Sequence, residues 1–302
     1  MSLIVQKFGG TSVADIERIR HVAKRVSATY DQGNDVVVIL SAMSGITDHL
    51  IDMAREVTES PDGRELDVLL ATGEQTTSAL LAMMLKSMNY SAQSLLGHQA
   101  EVLTDYCHGN ARIVDIRADR IKRLLQERHI VVIAGFQGCD PDGNITTLGR
   151  GGSDTSAVAI AAALKADLCE IYTDVDGIYT ADPNICQKAR KLSAISYDEM
   201  LNMASLGAKV LQIRSVGFAK KFNIPVHVRS SFSQEEGTMV VNENSGMERL
   251  VVSGVTHDKN QARITLKKVP DQPGIASKIF PPIAEAGIIV DMIIQNTRAG
   301  GQ

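Results

Sequence analysis

Residues 3–40 read LIVQKFGGTSVADIERIRHVAKRVSATYDQGNDVVVIL, and this stretch decides the fold. Leu3 to Phe8 is a short β-branched run of strand length. Ile16, Ile19, Val22 and Val26 then recur at helical spacing, and Val36 to Leu40 is a second apolar strand. Parallel strands need a crossover between them, most often a helix, so strand, helix and strand in this order predict a parallel pair. The pattern returns in Ile130 to Phe136, the Ala-rich helix Ala157 to Leu164 and the strand Leu168 to Thr173. Ile224 to Val228 closes the series, after a helix ending near Phe222. Such alternation predicts an α/β fold, a mostly parallel sheet in a three-layer α/β/α arrangement. Asp140-Pro-Asp-Gly-Asn144 is a turn signal and predicts a projecting hairpin.

From Gln234 to Met247 the sequence turns polar and the alternation stops. The expected domains are residues 1–233, a linker 234–250, and a second domain 251–302. In the last, a strand Ala262 to Val269, a turn Pro270 to Gly274, a helix through Ala286 and a strand Ile288 to Ile294 make a βαβ unit that is expected to be incomplete.

The 302 residues carry a formal charge of −4 with acids and bases interspersed. That argues against nucleic acid and against an anionic membrane surface, and leaves a small-molecule partner as the expectation. The N-terminus lacks the pattern of a signal peptide, and no apolar run approaches the roughly 20 residues of a membrane span, so a cytoplasmic location is expected. Cys107, Cys139, Cys169 and Cys186 form no CxxC pair and have no histidine at ligand spacing, which reads as four reduced thiols. A catalytic role for Cys107 would require His108 as its base.

Lys7-Phe-Gly-Gly-Thr-Ser12 ends a strand on a lysine, passes two glycines and opens a helix on hydroxyl residues. Backbone N–H groups can approach a phosphate there, and the lysine adds a point charge. The segment is not the GxxxxGK[ST] loop, and alone it is equally a tight turn. Thr147-Leu-Gly-Arg-Gly-Gly-Ser-Asp154 is a second glycine-rich entry to a helix, expected near Thr155. Ser153 or Asp154 can cap it, and Arg150 offers a fork for a carboxylate or phosphate. Asp154 beside an anion makes physical sense as the partner that orients Lys7. Tyr172-Thr-Asp-Val-Asp-Gly-Ile-Tyr-Thr-Ala-Asp-Pro183 follows a buried strand, and in open α/β sheets ligands sit beyond the carboxyl ends of strands. Ser41 to Thr47, Thr72-Gly-Glu74 before an apolar helix, and Gly207-Ala-Lys209 are weaker candidates.

Taken in order, KFGGTSV, SAMSGITD, ATGEQ, TTLGRGGSDTSA, YTDVDGIYTADP and GAKVL resemble the aspartate kinases of the amino-acid kinase family, over residues 1 to about 231. Pro270 to Gly274 and Val290 to Asn296 resemble the first of two ACT modules, which in such kinases sense end-product amino acids. The resemblance implies ATP with Mg²⁺ and L-aspartate as reactants, the first step of lysine, threonine and methionine biosynthesis, lysine or threonine as effectors, and a homo-oligomer. It implies that Lys7, Gly9 and Gly10 contact phosphates and that Asp154 positions Lys7. Thr173, Asp174, Tyr179 and Lys209 would line the nucleotide, and Thr47, Glu74, Arg150 and Ser153 would hold aspartate; no residue is assigned to a metal. Asn184 departs from the family, which usually has arginine there; Lys188 or Arg190 could substitute. Another amino-acid kinase and a non-catalytic amino-acid sensor are the alternatives.

Overall fold

The computed structural model describes residues 2–208 and 210–242, and beyond them 254–257, 262, 264–267, 269, 272, 274–285, 290 and 293. Two compact units result, Met1–Asp258 and Lys259–Gln302. The first half of unit one runs β1 (Leu3–Phe8), a 3₁₀ turn (Gly10–Val13), α1 (Ile16–Asp31), β2 (Asp35–Leu40), α2 (Ile46–Val57), α3 (Gly63–Ser87), β3 (Ala92–Leu95), β4 (Val102–Thr104) and β5 (Ile113–Ile116). Then come α4 (Asp119–Gln126), β6 (Ile130–Ala134), β7 (Gln137–Cys139), β8 (Ile145–Thr147), α5 (Gly152–Leu164), β9 (Leu168–Thr173), β10 (Ala194–Ser196), α6 (Tyr197–Ser205), α7 (Ile213–Phe222), β11 (Val226–Ser230) and β12 (Thr238–Val241).

Eight strands form the main sheet in the order β10-β12-β11-β9-β1-β2-β6-β3. All its pairs are parallel except β11 with β12. Successive side chains of a strand point to opposite faces, and β2 shows the result. Val37 and Ile39 join a core with Val158 and Ile160 of α5 and Val216 of α7, while Val36, Val38 and Leu40 join another with Ile19 and Val22 of α1 and Leu81 of α3. Both faces are covered, which is why β2 is apolar at nearly every position. The expected three-layer α/β/α architecture is what the chain adopts.

A smaller sheet, β5-β4-β7-β8, carries the expected hairpin. Asp140 Oδ1 accepts from the backbone of Asp142 and Asn144 and so ties its turn together.

Four expectations need correction. Thr72 to Glu74 do not precede a helix but lie in the middle of α3. Gly73 is there for room: a Cβ on it would sit 2.7 Å from the Ala42 Cβ. Second, α5 begins at Gly152 instead of near Thr155, and its N-cap is Gly151 in the left-handed region, so neither Ser153 nor Asp154 caps it. Third, the strand expected to reach Phe136 ends at Ala134, because Phe136 itself has φ +65°. Fourth, the sheet does not close at β11. In the stretch read as linker, Thr238 and Val240 are buried and alternate with half-buried Met239 and Val241, and β12 pairs with β11 and β10.

Helix α3 is long and apolar enough by composition to cross a membrane, but half of its most apolar window is buried inside the unit. It starts on Asp62, whose side chain accepts from the backbone N–H groups of Arg64 and Glu65, an ordinary helix cap. In the second unit, α8 (Ala276–Glu285) falls on the expected helix. The strands expected at Ala262 to Val269 and Ile288 to Ile294 lie largely outside the described residues.

Candidate active site

Strands β1, β2, β6 and β9 are parallel neighbours, so their carboxyl ends share one edge of the sheet. Lys7 is the penultimate residue of β1 and is 8% exposed. Its Nζ lies 2.5 Å from Oδ1 of Asp154, in the first turn of α5. The charges are largely desolvated, and loss of either would strand the other. Gly9 donates its N–H to the Tyr172 carbonyl at 3.2 Å, and a Cβ on it would lie 3.5 Å from the Lys7 ammonium. Gly10 packs against the segment after β2: its carbonyl accepts from Ser44 N, and a Cβ would stand 2.9 Å from the Ala42 carbonyl oxygen.

That segment is gripped from the other side by α3. Glu74 Oε1 accepts from the Ala42 N–H at 3.0 Å, and Thr77 Oγ1 donates to the Ser41 carbonyl at 2.8 Å. Glu74 Oε2 is buried without a hydrogen-bond partner. Burial pushes the Glu74 carboxyl up to about 7, with the Ala42 hydrogen bond opposing the shift. A buried acceptor of this kind is a ready seat for an ammonium group. Thr47 follows, half-buried in the first turn of α2 behind a left-handed Gly45.

The second glycine segment joins β8 to α5. Gly149 and Gly151 have φ +75° and +72°, where a side chain is strained. Ser153 is buried, Asp154 meets Lys7, and Arg150 is exposed with no ion-pair partner among the described residues. The loop is held by residues that sequence reasoning missed. Gln212 Nε2 donates to the Arg150 carbonyl, and Arg214 donates to the Leu148 and Ala111 carbonyls. They lie some sixty residues away in the chain, just before and in the first turn of α7, and no local pattern marks them.

Thr173 ends β9 beside Lys7's strand, and its hydroxyl donates to Asp174, which is exposed. Tyr179 forms an isolated antiparallel bridge with Lys191. Asn184 uses its backbone N–H to close a turn on Asp182 Oδ1. Lys209 lies outside the described residues. His108 is not free to serve Cys107, since its Nδ1 is 2.8 Å from the buried carboxylate of Asp67. Among the described residues no group of three or more acidic, histidine or cysteine side chains is gathered for a metal ion.

The sequence model described as the amino acid kinase family matches residues 2–230. The chain is 54% identical over 297 residues to an aspartate kinase of Stutzerimonas stutzeri, covering 98% of this chain and 72% of that one. Among solved structures, the aspartate kinase from Synechocystis superposes with a TM-score of 0.72 at 52% identity, over 80% of this chain and 40% of that one. E. coli aspartokinase III, solved in complex with aspartate and ADP in an R-state, gives a TM-score of 0.79 at 27% identity, over 97% of this chain and 76% of that one. The same enzyme has been solved with lysine and aspartate in a T-state. An open, mostly parallel sheet with two glycine-bearing turns meeting at a lysine–aspartate pair thus defines a phosphotransferase of the amino acid kinase family, to which this chain belongs. Within that family its place is among the aspartate kinases.

Proposed function

We infer that the protein transfers the γ-phosphoryl group of ATP to the side-chain carboxylate of L-aspartate, giving 4-phospho-L-aspartate and ADP. One observation carries the site assignment: the Lys7–Asp154 contact joins the two glycine loops within reach of the segment held by buried Glu74. The acceptor carboxylate, with a pKa of about 3.9, is already ionised at neutral pH, so no general base is needed. A carboxylate oxygen attacks the γ-phosphorus as the bond to the ADP oxygen breaks, and the reaction's difficulty is the meeting of two anions. Alignment and positive charge supply the catalysis.

In this reading Lys7 and the backbone of Gly9 and Gly10 receive the phosphates, and Asp154 fixes the lysine. Thr173, Asp174, Tyr179 and Lys209 line the nucleotide. Glu74 takes the α-ammonium of aspartate, Arg150 its α-carboxylate, and Ser153 and Thr47 complete the pocket. Mg²⁺ enters with the nucleotide; among the described residues no acidic cluster is gathered to hold it, so it would rely on phosphate oxygens, and no step here passes through it. The aspartate- and ADP-bound E. coli relative supports these substrates, and its lysine complex supports an amino-acid effector. We further place the protein in the cytoplasm as a homo-oligomer, opening the route to lysine, threonine and methionine, with the unit Met1–Asp258, β12 included, catalytic and Lys259–Gln302 ACT-like and regulatory.

The test is to incubate the protein with ATP, Mg²⁺ and aspartate and to trap the acyl phosphate with hydroxylamine. A hydroxamate that requires all three is expected. ADP release without hydroxamate, or equal use of glutamate, would refute the assignment.

A further inference from the structure

We propose that Arg214 is a positioning residue for the amino-acid substrate, acting through the backbone of the loop that carries Arg150 and Ser153; the proposal rests on the aspartate-binding role inferred for that loop. Among the described residues no hydrogen bond or ion pair joins Arg214 to the Arg150 guanidinium. Its fork is spent on main chain: Nη1 donates to the Leu148 carbonyl at 2.6 Å and Nη2 to the Ala111 carbonyl at 2.8 Å, with Asn110 Oδ1 at 3.4 Å from Nη1. These acceptors come from different segments, and Ala111 N also donates to the Thr147 carbonyl at 2.9 Å. One planar group therefore pins the start of the glycine loop to the stretch beside it.

The loop needs such a pin. Gly149 and Gly151 both sit at positive φ, and glycine has little intrinsic preference to stay there. Two residues before Arg214, Gln212 donates to the Arg150 carbonyl at 3.1 Å and occupies the space a Gly151 Cβ would need, 1.7 Å from its Cγ. Residues 212 and 214 thus fix the main chain on both sides of Gly149, and with it the direction in which the exposed Arg150 side chain leaves. An aspartate clamp built on a bidentate contact is sensitive to such direction, since a fork misplaced by about 1 Å loses one of its two hydrogen bonds. The guanidinium is half-buried, and its burial lowers its pKa, opposed by Asp105, but arginine remains charged at any working pH.

Steady-state kinetics on Arg214→Met, Arg214→Lys, Arg150→Ala and the Arg150→Ala/Arg214→Met double variant provide the test. Arg214→Met should raise the KM for aspartate on the order of tenfold while leaving the KM for ATP within about twofold. Arg214→Lys keeps the charge but reaches only one of the two carbonyls, and should raise it on the order of threefold. In the Arg150→Ala background Arg214→Met should add less than about twofold, because the group it positions is gone. A merely structural arginine would lower kcat with the folded fraction and leave the aspartate KM unchanged; that result, or full multiplication of the two effects in the double variant, overturns the proposal. Should Arg214→Met not fold, an unchanged aspartate KM in Arg214→Lys is itself sufficient to reject it. Arg150→Ala alone reports on the underlying role: an unchanged aspartate KM there removes the loop from substrate binding altogether. A large effect there with none at Arg214 rejects only the positioning claim.

Discussion

The two glycine loops do the same kind of work by different means. In the first, Gly9 and Gly10 have no left-handed backbone; the Ala42 carbonyl leaves no room for a Cβ on Gly10, one on Gly9 would make only ordinary contact with the Lys7 ammonium, and the turn is tied by main-chain hydrogen bonds to Tyr172 and Ser44. In the second, Gly149 and Gly151 supply unusual backbone angles, and side chains from the start of α7 hold them. A loop bound into the sheet by its own backbone is rigid without help. A loop held by distant side chains can be adjusted by substitution at those side chains, which suits the role in acceptor selection proposed for it.

The largest expected effect lies at the junction of the loops. Lys7→Ala should lower kcat on the order of 10²-fold or more with a smaller change in the KM for aspartate, because the charge acts mainly as the phosphoryl group moves. Near-normal kcat in folded protein would remove Lys7 from the chemistry.

The comparison itself is tested by paired glycine variants. Gly10→Ala drives a Cβ against a backbone carbonyl that cannot swing away, a strain of about 1–3 kcal/mol, and should raise the KM for ATP. Gly151→Ala must hold a left-handed backbone, at about 1–2 kcal/mol, and would also displace the Gln212 side chain, whose Cγ stands 1.7 Å from the new Cβ; it should raise the KM for aspartate. Parallel changes in both constants for both variants would erase the distinction.

Arg150→Lys replaces a fork with a point charge, and a loss of about tenfold in aspartate affinity is expected while ATP binding measured without aspartate is kept. Calorimetry with each ligand separately would expose the reverse allocation.

The remaining effect is on the pH dependence of stability. Because burial pushes the Glu74 carboxyl up from its ordinary value of 4.5 to about 7, the folded state holds its proton more tightly. Stability from this group is therefore highest below about pH 4.5 and declines as pH rises towards 7, on the order of 3 kcal/mol in all. Glu74→Gln should melt several degrees higher than the parent at pH 8 and equal to it near pH 4.5, while binding aspartate poorly. Its parent should bind aspartate more tightly at pH 8 than at pH 6, since only the ionised carboxylate pairs with an ammonium. A flat profile would mean that Glu74 is ionised throughout.

How much of this was legible in the sequence follows from the same contrast. The central strands and both glycine loops could be read because their signals are local: apolar runs, glycines and turn residues. Glu74 was found, but its setting was misread, since Gly73 looks like a helix boundary until Ala42 is seen against it. Arg214 and Gln212 escaped notice because nothing near them in the chain distinguishes a surface arginine from one that holds Leu148. β12 was lost among polar neighbours, its Thr-Met-Val-Val alternation being only four residues long.

The strand order has a consequence for how the protein is made. β1, made before β2 and β9, lies between them near the middle of the sheet, and Lys7 must wait for Asp154 before its charge is matched. A chain released from the ribosome before β9 would carry a half-covered sheet with an open central edge, where stray strands add readily. The Lys7–Asp154 ion pair is thus also a record of chain synthesis: it can close only once the polypeptide has been produced at least as far as Asp154 and has folded back onto β1.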